Sequence, residues 1–351
     1  MTTPASRMNT SLAECARRAE VCISRRHAGL AMLLASIGDR SLAAEQVVRI
    51  GVLGVFLWDP ADPSAKAFMN EVSRRGYVLG RNLTFVSRAC GNELRRLDGL
   101  AGELVALKVD LIWSTGGTPS ALAAKRATTT IPIVMSSRDP VEDGLVESLA
   151  KPGGNVTGSA DIGQELTLKR LQLLLEAVGD AKPIGYLIHP RILERKSERR
   201  TIAAMESSMH ARGGRLVVAA VREVSQGDDL EYGLALLQQQ GVGAALINNY
   251  STIGADEERT ADILLRHQLP AMMENRPYAV GGVMMTYSEP VEDDDLRSAS
   301  FIDRILKGAK PRDLPIERPT RFELSINLRT ARKLGIVIPA ALLLRADEVI
   351  R

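Results

Sequence analysis

Cysteine is nearly absent from this chain, with three residues in 351, at positions 15, 22 and 90. The first two fall in an N-terminal stretch that reads as a removable leader, so the remainder keeps Cys90 alone. One cysteine makes no internal disulfide, no metal cage and no redox pair. Histidine is also sparse: His27 sits in the leader, and His189, His210 and His267 are far apart. No H-E-x-x-H or C-x-x-C spacing occurs. Aromatic residues make up only 4%, while Ala, Leu, Val, Ile and Gly dominate, which suits parallel strands covered by helices. Long apolar runs are missing too. The one within Ser24–Gly38 is too short to span a bilayer easily.

The body of the chain also lacks an excess of either charge. The whole carries 45 basic and 42 acidic residues; residues 1–44 hold six arginines against Glu14, Glu20 and Asp39, which leaves 39 of each sign elsewhere. A nucleic-acid partner needs a basic surface to displace counterions from phosphates, and none is supplied. The basic head reads instead as an export signal over residues 1–44. "SRRHAGLAMLLASIG" pairs Arg25 and Arg26 with an apolar run and resembles a twin-arginine signal. Small residues in "SLAAEQ" offer cleavage contexts at Ser41/Ala43 or Leu42/Ala44. The alternative is a short amphipathic helix on a cytosolic protein. No lipobox precedes Cys22, which argues against a lipid anchor.

From residue 47 onward, short apolar runs alternate with amphipathic stretches of helical length. "VVRIGVLGVF", "NLTFVSRA", "VDLIWST" and "IPIVMSS" read as strands. The stretches between them read as helices, and this order predicts a parallel, doubly wound sheet. The order then recurs. "IGVL" at Ile50 and "IGYL" at Ile184 are offset by 134, as are "DLIWSTGG" at Asp110 and "AALINNYS" at Ala244; Pro132 and Pro270 are offset by 138. Two similar α/β lobes follow from this, with the Gly- and Pro-rich Ala150–Gly163 as a change of lobe. Later segments, "GGVMMTYSEP", a helix over "DDDLRSASFIDRILKG" and the extended "AKPRDLPIERPT", predict further crossings.

"STGGTPSALAAK", Ser114–Lys125, puts a glycine turn between a strand and a helix, where free N–H groups favour an anion. A phosphate loop needs Lys and a hydroxyl directly after that turn, and Pro-Ser-Ala stands there instead. "GVLGVFLWDP" lacks the dinucleotide fingerprint, and no nucleophile elbow exists. "SLAK" at Ser148–Lys151 lacks the companion motifs of an S-x-x-K enzyme. "EDDD" at Glu292–Asp295 opens a helix, where it suits the dipole and is expected to face water. The residues argue against an enzyme and imply no cofactor.

"TTTIPIVMSSRDPVEDGLVESLAKPGGNVTG", "ILKGAKPRDLPIERPTRFELSINLRTARKLGI" and "IPAALLLRADEVI", with "GYVLGRNLTF" and "DLIWSTGGTPSALAAKRAT", strongly resemble the ABC-transporter substrate-binding family that includes tryptophan and tyrosine binders. The resemblance runs from about Val47 to the C-terminus. It implies a type I periplasmic-binding fold of two Rossmann-like lobes joined by three connecting strands. Residues 47–160 plus about 286–312 would form the N-terminal lobe, and 161–285 plus about 313–351 the C-terminal lobe. It further implies a periplasmic monomer that captures a small solute, such as an amino acid or other carboxylate, and delivers it to an ABC permease with a separate ATPase. A ligand-sensing subunit of a signalling receptor is the alternative. "HPRILERK" and "NNYSTI" depart from the family's usual loops, so the identity of the solute does not carry over.

Strand ends then supply candidate cleft residues. Gly117 and Thr118 offer N–H and hydroxyl groups to a carboxylate, with Thr118 also placed as an N-cap before Pro119. Ser137 and Asp139 end the next strand; Asp139 would take an ammonium or simply make a turn before Pro140. Trp58 and Asp59 follow the first strand, and Trp58 would cover an apolar solute or pack the lobe. His189, Asn249, Tyr250 and Glu274 occupy the equivalent positions in the second lobe. Tyr287 is expected to be structural.

Overall fold

The computed structural model describes residues 47–62, 65–91, 93–160, 163–179, 183–221, 228–249 and 256–351; the expected leader lies outside them. Apolar runs too short for helices become strands β1 (Val48–Gly54), β2 (Leu83–Ala89), β3 (Leu111–Ser114), β4 (Ile133–Ser137) and β5 (Val156–Ala160). The amphipathic stretches between them become α1 (Lys66–Arg74), α2 (Leu97–Ala106) and α3 (Gly117–Ala127). The five strands form one parallel sheet in the order β2-β1-β3-β4-β5.

The second half continues with α4 (Gly163–Val178), β6 (Ile184–Ile188), α5 (Pro190–Leu193), α6 (Lys196–Ala211), β7 (Leu216–Ala220), α7 (Asp228–Gln239), β8 (Ala244–Ile247), α8 (Glu257–Arg266), β9 (Ala271–Met273), α9 (Arg276–Gly281) and β10 (Met285–Ser288). After α10 (Val291–Leu306) come β11 (Glu323–Asn327), α11 (Leu328–Lys333), α12 (Ala340–Leu343) and β12 (Glu348–Ile350). The second sheet runs β12-β11-β10-β9-β8-β6-β7, and β10 with β11 is its antiparallel pair.

Read from its edge, β7-β6-β8-β9-β10 repeats the order of the first sheet. Equivalent backbone bonds recur at equivalent places. Ile112 N–H donates to Pro132 O, and Ala245 N–H to Pro270 O, each at 2.9 Å. The two prolines therefore do the same work, each accepting the bond that aligns the next strand.

Helix α10 returns to the first sheet. Its Phe301 and Ile302 are buried in one cluster with Ile50, Val52, Phe68 and Trp113, each such side chain contributing about 1.5–3 kcal/mol on burial. Asp303 on its far side pairs with Arg75 of the first lobe at 3.0 Å. The chain stays on this lobe as far as Glu317, which donates its N–H to Gly158 O at 3.1 Å and accepts from Ala160 N–H at 2.9 Å. The crossings thus fall after Ala160, after Ser288 and after Glu317, the last two a few residues beyond the 286 and 313 read from sequence. Strand β5 lies inside the segment expected to be a linker. Its Gly158 has φ +138°, and a Cβ there would sit 2.0 Å from Met135 O, so the residue that disguises the strand is required by its contact with β4.

Candidate functional site

A cavity of about 600 Å³ opens where the carboxyl ends of both sheets meet. From the first lobe it is walled by the segments after β1 (Val55–Asp59), from β3 into α3 (Trp113–Thr118) and at the end of β4 (Ser136–Arg138). From the second come Asn249 after β8, Glu274 and Asn275 after β9, and Ser288–Pro290 after β10. Strand ends are where backbone leaves the ladder and side chains converge, which is why open α/β sheets bind ligands there.

One wall is apolar. Trp113 on β3 stacks on Phe68 at 4.1 Å and 10°, and Trp58 stands edge-on to Trp113 at 5.2 Å and tilts against Phe85 at 4.6 Å. Trp58 therefore both packs the lobe and faces the cavity. Beside it Phe56 and Leu57 are 63% and 71% exposed, a costly arrangement for apolar side chains unless something covers them.

The glycine turn opens α3 two residues earlier than expected. Gly116 is the N-cap, Gly117 is the first helical residue with φ +64°, and no side chain caps the helix. Thr118 is not the cap. Its hydroxyl is buried, 2.9 Å from Ser137 Oγ and 3.4 Å from Arg138 N, and ties the start of α3 to the end of β4. The N–H groups of Gly117 and Thr118 have no partner within the helix and lie at the cavity wall.

The remaining wall is ionic. Arg138 of the first lobe forms an ion pair with Glu274 of the second, and Arg170 of α4 approaches the same carboxylate oxygen at 3.5 Å. Arg170 also donates its Nε–H to Tyr287 O at 2.7 Å, which gives Tyr287 its structural role beside a ring contact with Phe322. Opposite, Ser159 donates to Asp294 at 2.6 Å, while Arg297 pairs with Glu289 and, at 3.5 Å, with Asp294. Among the described residues, no cation stands beside Asp295. Burial, with Asp294 and Glu292 adding repulsion, pushes its carboxyl up to about 7.

Of the residues read from sequence, Trp58, Asp59, Gly117, Thr118, Ser137, Asn249 and Glu274 line this cavity. Tyr250 lies outside the described residues. Asp139 and His189 do not reach the wall. Asp139 pairs with Arg200 of α6 at 2.6 Å and accepts from Glu142 N–H at 3.2 Å. His189 is buried and caps α5, its Nδ1 accepting from Arg191 N–H at 3.2 Å. The acidic run is corrected in part: Asp293 faces outward to Arg321 at 3.2 Å, but Asp294 and Asp295 face the cavity. Trp113, Arg138, Arg170 and Asp295 were not anticipated. "DLIWST" carried a signal for Trp113, because an indole one residue from a strand's end is large enough to reach the mouth of the sheet while packing in the core.

Two sheets that share a set of five parallel strands in matching order, three crossings and a cleft between their carboxyl ends define a two-lobed fold of the periplasmic-binding type. The chain belongs to the ABC transporter substrate binding protein family, whose profile matches residues 50–350. It is 24% identical over 305 residues to a tyrosine-binding protein of Clostridioides difficile, covering 86% of this chain and 85% of the relative. A solved ABC domain from Streptococcus pneumonia in complex with L-Trp shares 24% identity at a TM-score of 0.72, covering 87% of this chain and 100% of that one. A conserved domain protein from Vibrio cholerae reaches 0.74 at 24% identity, covering 87% and 99%. The family is one of solute-binding proteins, not enzymes, and it implies a small-molecule ligand and ABC transporter partners. No helix among the described residues is long and apolar enough to cross a membrane.

Proposed function

We propose that this chain is the periplasmic receptor of an ABC importer. It is exported by its leader, acts as a monomer after cleavage, and hands an amino-acid-sized solute to a permease driven by a separate ATPase. The observation that carries this reading is the cleft itself: an aromatic face, free helix N–H groups and carboxylates converge from two lobes. A solute touching both walls stabilises only the closed arrangement, so binding and closure are linked. The relatives' named ligands, tyrosine and L-Trp, support a solute with an apolar ring that Trp58, Phe56 and Leu57 would cover.

The test has two arms. Mass spectrometry of small molecules released from gently purified protein identifies the solute, and that solute should raise the melting temperature and reduce the radius of gyration in X-ray scattering. Stabilisation with no compaction would refute closure between lobes. Cell fractionation should find a shortened protein beginning near Ala44 in the periplasm, and full-length protein confined to the cytosol would refute export.

A further inference from the structure

The charges around the cavity do not balance. Seven carboxylates line it against three arginines. Arg297 stands behind Glu289 and raises the cations to four, which leaves an excess of three acids when all are ionised and about two near pH 7, where burial keeps Glu289 and Asp295 partly protonated. Two of the arginines, Arg138 and Arg170, converge on Glu274 from opposite lobes, with side chains only 15% and 6% exposed. Two guanidinium groups meeting at one point are what would hold the carboxylate of an acidic solute. Here the protein's own carboxylate occupies that position. The N-terminus of α3 offers only about half a positive charge. Across the cavity Asp294 and Asp295 are partly buried, and no cation among the described residues pairs with Asp295. A carboxylate shielded from water without a partner is costly, and a bound ammonium would supply the missing charge.

We propose that Glu274 sets the charge selectivity of the cleft. By engaging Arg138 and Arg170 it leaves the cavity net negative, so the solute is an amine of net positive charge, anchored against Asp294 and Asp295 with its apolar body on Trp58. This rests on the solute-receptor reading above and names the class of solute within it. A free acid is disfavoured because it must displace Glu274 from two guanidinium groups and then leave that side chain uncompensated.

Titration calorimetry on the mature protein tests the solute class with two series of constant body and changing charge: tyramine, L-tyrosine and 3-(4-hydroxyphenyl)propionate, then 3-methylbutylamine, L-leucine and 4-methylpentanoate. Within a series that binds, the amine should bind tightest and the acid weakest. Glu274→Gln frees the two arginines and should improve the acid relative to the amine by about ten- to a hundredfold. Arg138→Gln should move the ratio the other way, and it keeps the question open to test if Glu274→Gln does not fold. An acid that binds wild type as tightly as its amine overturns the proposal, as does an unchanged ratio in folded Glu274→Gln.

A second measurement needs no ligand. The chain has two tryptophans, and both Trp58 and Trp113 line the cavity. With each ion's quenching normalised to that of N-acetyltryptophanamide, caesium should therefore quench their fluorescence more than iodide at equal ionic strength. Preference for iodide overturns the charge assignment directly. If caesium is preferred yet neither series binds or co-purifies, the small-solute reading fails and the named class falls with it, while the negative cavity stands.

Discussion

Replacing Thr118 by valine separates a structural hydroxyl from one that touches solute. The side chain is 2% exposed, and its oxygen lies 2.9 Å from Ser137 Oγ and 3.4 Å from Arg138 N. Valine keeps the branched shape and removes the hydroxyl. Ser137, itself 4% exposed, then loses its partner, and an unpaired buried hydroxyl costs about 1–3 kcal/mol. The melting temperature of the solute-free protein should fall by roughly 2–8 °C. Affinity should change by less than about threefold, because this oxygen is already engaged by Ser137 and Arg138 within the protein. A hydroxyl contacting a charged solute group would instead cost about ten- to a hundredfold in affinity. Calorimetric melting beside titration calorimetry reads both quantities. A large loss of affinity with an unchanged melting temperature would refute this assignment and return Thr118 to the binding surface.

Gly158→Ala should destabilise by more than about 3 kcal/mol, since φ is +138° and the new Cβ would meet Met135 O at 2.0 Å; a wild-type melting curve would show that β5 does not pack as described. Asp139→Asn should alter solute affinity by less than about threefold and stability by no more than about 1 kcal/mol, its partner Arg200 being half exposed; a tenfold loss of affinity would put Asp139 back in the site. Asp295 gives a pH dependence whose sign follows from its raised carboxyl, about 7 against an ordinary 3.8. The folded state binds the proton more tightly than the unfolded chain, so this group's contribution is full below pH about 4 and is lost as pH rises through about 7. The solute-free protein should therefore lose stability across that window. Affinity for an amine should rise across its upper part as the carboxylate forms, and Asp295→Asn should flatten both slopes.

The repeat was legible because backbone pairing constrains spacing even where residues diverge. Ile50 and Ile184 open equivalent stretches of β1 and β6, and Pro132 and Pro270 precede β4 and β9. Strand β5 was not legible. Gly153 and Gly154 precede it and Gly158 interrupts it, so local composition spells a turn, whereas the need for glycine arises from Met135, distant in sequence. Pro119 misplaced the start of α3 for a related reason: proline is tolerated in a helix's first turn and does not identify its first residue. The acidic run at 292–295 satisfied a helix dipole locally, which explained all four residues without the cavity. Only the return of α10 to the first lobe turns Asp294 and Asp295 toward it.

Side-chain direction set the boundary between what strand ends revealed about the site and what they did not. A strand end fixes where the backbone leaves the sheet, so residues there arrive near the cleft whatever their chemistry. Ser137 closes β4 and lines the cavity, and Arg138 does too. Asp139, one residue further, turns away to Arg200 and Glu142 as the chain enters its turn at Pro140. Composition favoured the member of that pair that does not line the cavity, because an aspartate was the more obvious partner for an amine than an arginine whose counter-ion lay 136 residues away at Glu274. The same holds in the second lobe. His189 follows β6 but is held inward by the N-terminus of α5, whereas Glu274 follows β9 and projects across the cleft. Its partner, an arginine of the other lobe, makes it part of the joint between lobes as well as part of the wall. A solute in this cleft would have to bind beside that ion pair or break it, and for this reason the charge of Glu274 would bear on specificity whether or not the solute touches it.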